Sequence, residues 1–184
     1  YNVTTIEDTN YRLSVIPDLA GRIISIIPKW FNQDIISQSD TNYDAYPNSG
    51  GYEEYATENY RGEGWNTIYQ IVSSSARQVT LQTTKPNGLT ITRQIELNTA
   101  DKTINIISTL KNSTTQTMET TLYIHPEFQL KPINELEISF TNRNGDPVKF
   151  TPGAKYGMPD NNHQLFFNGN YAPHQRWQIE SAAN

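Results

Sequence analysis

An all-β antiparallel sandwich is the fold this sequence predicts, and three observations carry the prediction. Five segments, at 67–73, 77–84, 89–97, 103–110 and 117–124, show period-two or β-branched character. The links between the later ones are turn chemistry: Lys85-Pro86-Asn87-Gly88, Asn98-Thr99-Ala100-Asp101 and Lys111-Asn112-Ser113-Thr114. No stretch carries the 3.6-residue apolar period of an amphipathic helix. Links this short make successive strands antiparallel neighbours, so the five segments read as a meander.

The elements follow in order. Residues 11–17 alternate, with Leu13 and Val15 set against Arg12 and Ser14, and residues 22–27 resume after Asp18-Leu19-Ala20-Gly21. That is a β-hairpin with Gly21 where positive φ is needed. From 32 to 64 the periodicity disappears into Tyr, Asn, Asp, Glu and Gly. A loop that long inside a domain is usually functional or disordered. Residues 89–97 alternate almost completely, with Leu89, Ile91, Ile95 and Leu97 on one face. Arg93 falls on that same face, and an arginine there needs a partner carboxylate. Residues 135–141 and 148–150 read as one more hairpin around Asn144-Gly145. After Pro152, the residues Gly153, Gly157, Pro159, Gly169 and Pro173 predict irregular chain. The expected organisation is a single sandwich domain over 1–184, regular from about 11 to 150 and irregular from 151 to 184. At 184 residues the chain is long enough to bury a core.

Composition narrows the function classes. The chain has 14 Lys+Arg against 19 Asp+Glu, a formal net charge of −5. Nucleic acids and anionic membranes call for a basic field, so neither is an expected partner. No apolar run approaches the ~18 residues needed for a membrane-spanning helix. The absence of cysteine excludes disulfides and thiolate metal sites. Heavy use of Thr, Asn, Gln and Tyr, and a start at Tyr1 without Met, predict a processed, exported protein, periplasmic or extracellular, with the cytoplasm left open. Asn2-Val3-Thr4 and Asn112-Ser113-Thr114 fit the glycosylation sequon, which matters only in a eukaryotic secretory route.

Three stretches resemble the galactose mutarotase-like superfamily, the aldose 1-epimerase β-sandwich. Val15-Ile16-Pro17-Asp18-Leu19-Ala20-Gly21-Arg22-Ile23 is similar to its opening hairpin, in which a Gly-Arg pair begins the second strand. Ser49-Gly50-Gly51-Tyr52-Glu53, followed by Gly64-Trp65, resembles the Gly-rich loop before the main sheet. Residues 88–97, then Leu110-Lys111-Asn112, then Tyr123-Ile124-His125-Pro126-Glu127-Phe128 resemble the central strands and their His-Pro segment. The likeness covers roughly residues 11–130. In the family's epimerases the His of that segment protonates the ring oxygen, and a late Glu takes the anomeric proton. The resemblance therefore makes His125 the candidate acid. The second family His, after the Gly-rich loop, has no counterpart here, and Glu53 stands near its place. The late Glu180 lies in a tail with no matching motif. Many relatives use the sandwich as an accessory domain beside glycosidase, phosphorylase or lyase modules, and fold likeness does not settle function.

The residues supply their own chemistry beside the resemblance. A histidine can exchange protons near neutral pH. Glu53, Glu54 or Glu127 can be its basic partner, and Glu127 shares a face with His125 if the strand continues through Pro126. Sugar binding asks for aromatic faces and planar polar groups. The expected set is Arg93, Tyr52, Glu54, Arg61 and Trp65, inside a stretch that also carries Tyr43, Tyr46, Tyr55 and Tyr60. The same tyrosines can equally form a lid over the protein's own core. Trp30-Phe31 reads as core or rim.

His163, His174 and Asp160 fit no metal motif, the acidic loop at 40–44 lacks a calcium-loop pattern, and no metal or cofactor is expected. Phosphate loops, nucleophile elbows and dinucleotide fingerprints are absent from the sequence. The expected role is a carbohydrate-binding or accessory domain, with a sugar or oligosaccharide as ligand. Another domain of a parent protein is a further expected partner. The competing readings are an aldose 1-epimerase and a structural interaction domain.

Overall fold

A computed structural model describes residues 1–37, 50–57, 64 and 66–129, together with four short strands at 137–139, 150–152, 164–166 and 179–181. The chain divides into two compact units, Tyr1–Gln129 and Leu130–Asn184. Among the described residues there is no helix, and so none long and apolar enough to cross a membrane.

The first unit holds two antiparallel sheets. One has five strands in the order β1-β2-β3-β4-β9. These are β1 (Thr4–Glu7), β2 (Tyr11–Ile16), β3 (Arg22–Pro28), β4 (Tyr52–Thr57) and β9 (Thr121–Pro126). The other has four strands in sequence order: β5 (Gln70–Ser74), β6 (Gln78–Thr84), β7 (Leu89–Asn98) and β8 (Thr103–Asn112). One apolar cluster joins the sheets, with Ile6, Leu13, Val15 and Ile23 on one side and Val79, Leu81, Leu89, Ile91, Ile95 and Leu97 on the other. The predicted sandwich is therefore present, because each sheet has one apolar face to bury.

Local pattern accounts for most of these strands. In β7 every second residue is buried over the whole strand, as its alternation requires. The β2–β3 hairpin turns through Ala20 and Gly21 at φ 55° and 62°. At Gly21 a Cβ would come within 2.7 Å of Leu81 Cδ1 and 3.2 Å of an Arg93 nitrogen, so the turn seats directly on the opposite sheet. The far end of the sandwich is tied by Asp8. Its carboxylate accepts hydrogen bonds from the Asn10 and Tyr11 amides at 2.7 Å each and from the Thr99 hydroxyl at 2.7 Å.

Three expectations need correction. The meander stops at β8: β9 leaves for the other sheet, where it pairs with β4 over six residues. Its link spans residues 113–120, longer than the hairpin turns before it, which frees it to change sheets. Second, the aperiodic stretch 32–64 contains a strand, β4, whose sequence Tyr-Glu-Glu-Tyr-Ala-Thr hides its alternation because charged residues occupy both faces.

The third correction is in the second unit. There β10 (Glu137–Ser139) pairs with β12 (Gln164–Phe166), and β11 (Phe150–Pro152) pairs with β13 (Ile179–Ser181). The two halves of the hairpin expected around Asn144-Gly145 thus pair elsewhere, and the tail after Pro152 contributes two strands. Strands of three residues take their partners from long-range contacts rather than from a turn dipeptide.

Candidate functional site

Three neighbouring strands each contribute one polar residue to a row across the five-stranded sheet. In the β4–β9 ladder Glu53 stands directly opposite His125, and in the β3–β4 ladder the pairing of Ile23 with Tyr52 places Arg22 one step on, beside Glu53. Alternation along β4 sends Glu53 and Tyr55 to one face and Tyr52, Glu54 and Ala56 to the other. Glu53 Oε1 lies 3.5 Å from Arg22 Nε, and Glu53 Oε2 lies 3.1 Å from His125 Nδ1. Arg22 and Glu53 are 1% and 2% exposed, whereas His125 is 47% exposed. The row thus runs from a buried guanidinium through a buried carboxylate to an imidazole at the surface.

The chain continues in extended form beyond His125. The Glu127 amide donates to the Gly51 carbonyl at 2.8 Å, and Phe128 forms a bridge with Ile36. His125 and Glu127 therefore share a face, with His125 Nε2 3.9 Å from Glu127 Oε1. Gly51 makes this junction possible. At φ 99° it brings its backbone so close to β3 that a Cβ would sit 2.6 Å from the Ile23 carbonyl oxygen. That Cβ would also meet the Arg22 side chain at 3.2 Å. Beside the row, Tyr55 and Tyr123 stack with ring centroids 5.3 Å apart.

The opposite face of β4 has its own polar centre. Arg93, 0% exposed, donates through Nη1 to the Ala20 and Gly21 carbonyls at 2.7 and 3.2 Å and through Nη2 to the Glu54 carbonyl. Arg93 Nη2 also stands 3.5 Å from Glu54 Oε1. Tyr52 donates its hydroxyl to Glu54 Oε2 at 2.9 Å, and Tyr69 presents its ring to the guanidinium at 5.4 Å. Burial first, and then the Glu54 charge, push the Tyr52 phenol well above its ordinary value. A crevice bordered by Leu19, Ala20, Arg22, Glu53, Glu54 and Tyr55 reaches between these two centres, and it has no room for a water molecule. Among the described residues of this array, His125 is the most exposed, at 47%.

No protein-family model and no curated protein matches the chain. Solved structures do. The Slr1438 protein of Synechocystis sp. PCC 6803 superposes with a TM-score of 0.62 at 14% identity, over 92% of this chain and 65% of that one. A candidate aldose 1-epimerase of Escherichia coli K12 superposes with a TM-score of 0.53 at 13% identity, over 97% of this chain and 65% of that one. The fold is galactose mutarotase-like.

In this mutarotase-like sandwich the residues singled out in the sequence separate into three groups. His125, Glu53 and Glu127 come together in the surface row. Arg93, Glu54 and Tyr52 come together in the buried centre, where Glu54, on β4, is the carboxylate that Arg93 required. Arg61, Trp65, Tyr43, Tyr46 and Tyr60 lie outside the described residues, as do Asp160, His163, His174 and the loop 40–44. Trp30 is on the rim, exposed, with its ring edge-on to Tyr11 at 4.9 Å. Among the described residues no group of three or more His, Cys, Asp or Glu side chains is placed to hold a metal ion. Arg22 is the site residue that sequence reasoning passed over. Its signal was present: a charge opens the apolar run Ile23-Ile24-Ser25-Ile26-Ile27.

Proposed function

We propose that this chain binds carbohydrate at the exposed His125–Glu127 edge of its mutarotase-like sandwich, as a binding or accessory domain rather than as a catalyst. The observation that carries this reading is that Glu53 and Glu127 both approach the same imidazole, at 3.1 and 3.9 Å. Opening a cyclic sugar needs an acid and a base on opposite sides of one ring. Two carboxylates gathered against His125 leave no space for a ring between acid and base. The half-exposed imidazole at the edge of this cluster suits hydroxyl recognition, since an imidazole bonds sugar hydroxyls readily.

A second reading, an aldose 1-epimerase, draws on one specific feature: a half-exposed imidazole backed by a buried carboxylate is an arrangement used in proton transfer. Proton NMR on a panel of aldoses and short oligosaccharides, with wild type and His125→Ala, separates the readings. Line broadening without anomer exchange, lost in the variant, is the expected result. Exchange between anomeric signals above the uncatalysed rate, abolished by His125→Ala, would make the chain an epimerase. Silence across the panel would leave a structural interaction domain.

A further inference from the structure

Glu53 is sealed from solvent while the histidine it touches is half-exposed. Taking a carboxylate and a guanidinium out of water costs several kcal/mol, and apolar residues of similar size often serve stability equally well. A buried Arg22–Glu53 pair that reaches a surface imidazole therefore asks for a role other than packing.

We propose that Glu53 is the positioning residue of His125. It accepts the hydrogen on Nδ1, fixes the neutral imidazole in that tautomer, and so makes Nε2 the acceptor offered to a ligand hydroxyl. Three features support this. A carboxylate only accepts hydrogen bonds, so at 3.1 Å the hydrogen belongs to Nδ1. The other oxygen of Glu53 faces Arg22 at 3.5 Å, which holds the carboxylate in place and balances its charge. The two residues are direct ladder partners, so the backbone sets their spacing. Glu127 Oε1, 3.9 Å from Nε2, is beyond hydrogen-bond range of that nitrogen and is buried rather than turned to solvent. The carboxylate charge beside the imidazole favours the hydroxyl of an uncharged sugar over a sugar acid or phosphate.

The ligand part of this inference rests on the sugar-binding reading; the tautomer does not, because it belongs to the free protein. The test is long-range nitrogen–proton NMR of the imidazoles, recorded above their titration range. His125 is assigned with His163→Gln and His174→Gln. Wild-type His125 is expected as the Nδ1–H tautomer. In Glu53→Gln it is expected to shift toward the Nε2–H form that an unconstrained imidazole prefers. A merely structural Glu53 would not move this signature. An Nε2–H tautomer in wild type, or an unchanged tautomer in Glu53→Gln, overturns the proposal. The wild-type spectrum decides the matter alone if the variant does not fold. Glucose and galactose are then added to the same sample. If Nε2 does not respond while the Nδ1–H tautomer stands, sugar binding fails and the positioning role survives.

Discussion

Glu53 and Glu54 are consecutive residues whose carboxylates serve opposite faces of one strand. Glu53 meets Arg22 and His125, and Glu54 meets Arg93 and Tyr52. Both are buried, and both have an arginine within 3.5 Å. β4 therefore carries one ion pair between the sheets and another on its other face, in adjacent positions.

The inner pair gives the most direct stability prediction. Arg93→Met leaves Glu54 buried without its cation, and losing one partner of a buried pair costs about 3–5 kcal/mol. Urea denaturation should show a loss of that size. The double variant Arg93→Met with Glu54→Leu should recover much of it, because no uncompensated charge then remains. A single variant as stable as wild type would show that the pair contributes nothing to folding.

Gly51 is where the backbone of the Gly-rich loop touches β3. Gly51→Ala places a methyl group 2.6 Å from the Ile23 carbonyl oxygen at φ 99°. Backbone strain of this kind costs on the order of 1–3 kcal/mol. Because Arg22 is also in the way, the variant should disturb the His125 NMR signals as well as lower the denaturation midpoint. Gly51→Ala with wild-type spectra and midpoint would contradict that close approach.

Acid should loosen the closed end of the sandwich. Burial raises the Asp8 carboxyl, but hydrogen bonds from Thr99, Tyr11 and Asn10 outweigh it and hold the group below its ordinary value of 3.8. A lowered carboxylate stabilises the fold above the unfolded value, and that contribution is lost as pH falls through the folded one. Melting temperature should therefore drop below about pH 4. Asp8→Asn should flatten that drop while lowering stability at neutral pH.

Alkali should act through the inner centre. Burial pushes the Tyr52 and Tyr69 phenols up, with Glu54 adding to the rise and Arg93 opposing it. An acid raised in the fold contributes stability below its unfolded value near 10, and that contribution is lost as pH rises past it. Phenolate absorbance should show these two tyrosines ionising only as circular dichroism reports unfolding, and Tyr52→Phe should remove part of the coupled signal. Early ionisation of all eleven tyrosines with the fold intact would count against it.

How far the chain could be read depended on whether side chains obey one face at a time. β7 was legible because Leu89, Ile91, Ile95 and Leu97 alternate with polar residues, and Arg93 announced a buried partner by breaking that pattern. β4 was not, because its two glutamates face opposite ways and both are buried, so no apolar period marks the strand. The sheet exchange of β9 was equally hidden, since a strand's own alternation names no partner. With β4 and β9 unplaced, the contact between Glu53 and His125, 72 residues apart, could not be read either.

The strand class, the β2–β3 hairpin, the faces of β2 and β7, and the need for a carboxylate beside Arg93 were all legible in the residues alone. Each follows from local backbone geometry and the period of burial. Long-range packing settles which carboxylate that is, which sheet receives β9, and that Arg22, Glu53 and His125 form one row. Ladder register between distant strands sets those contacts, and it depends on the packing of both sheets at once.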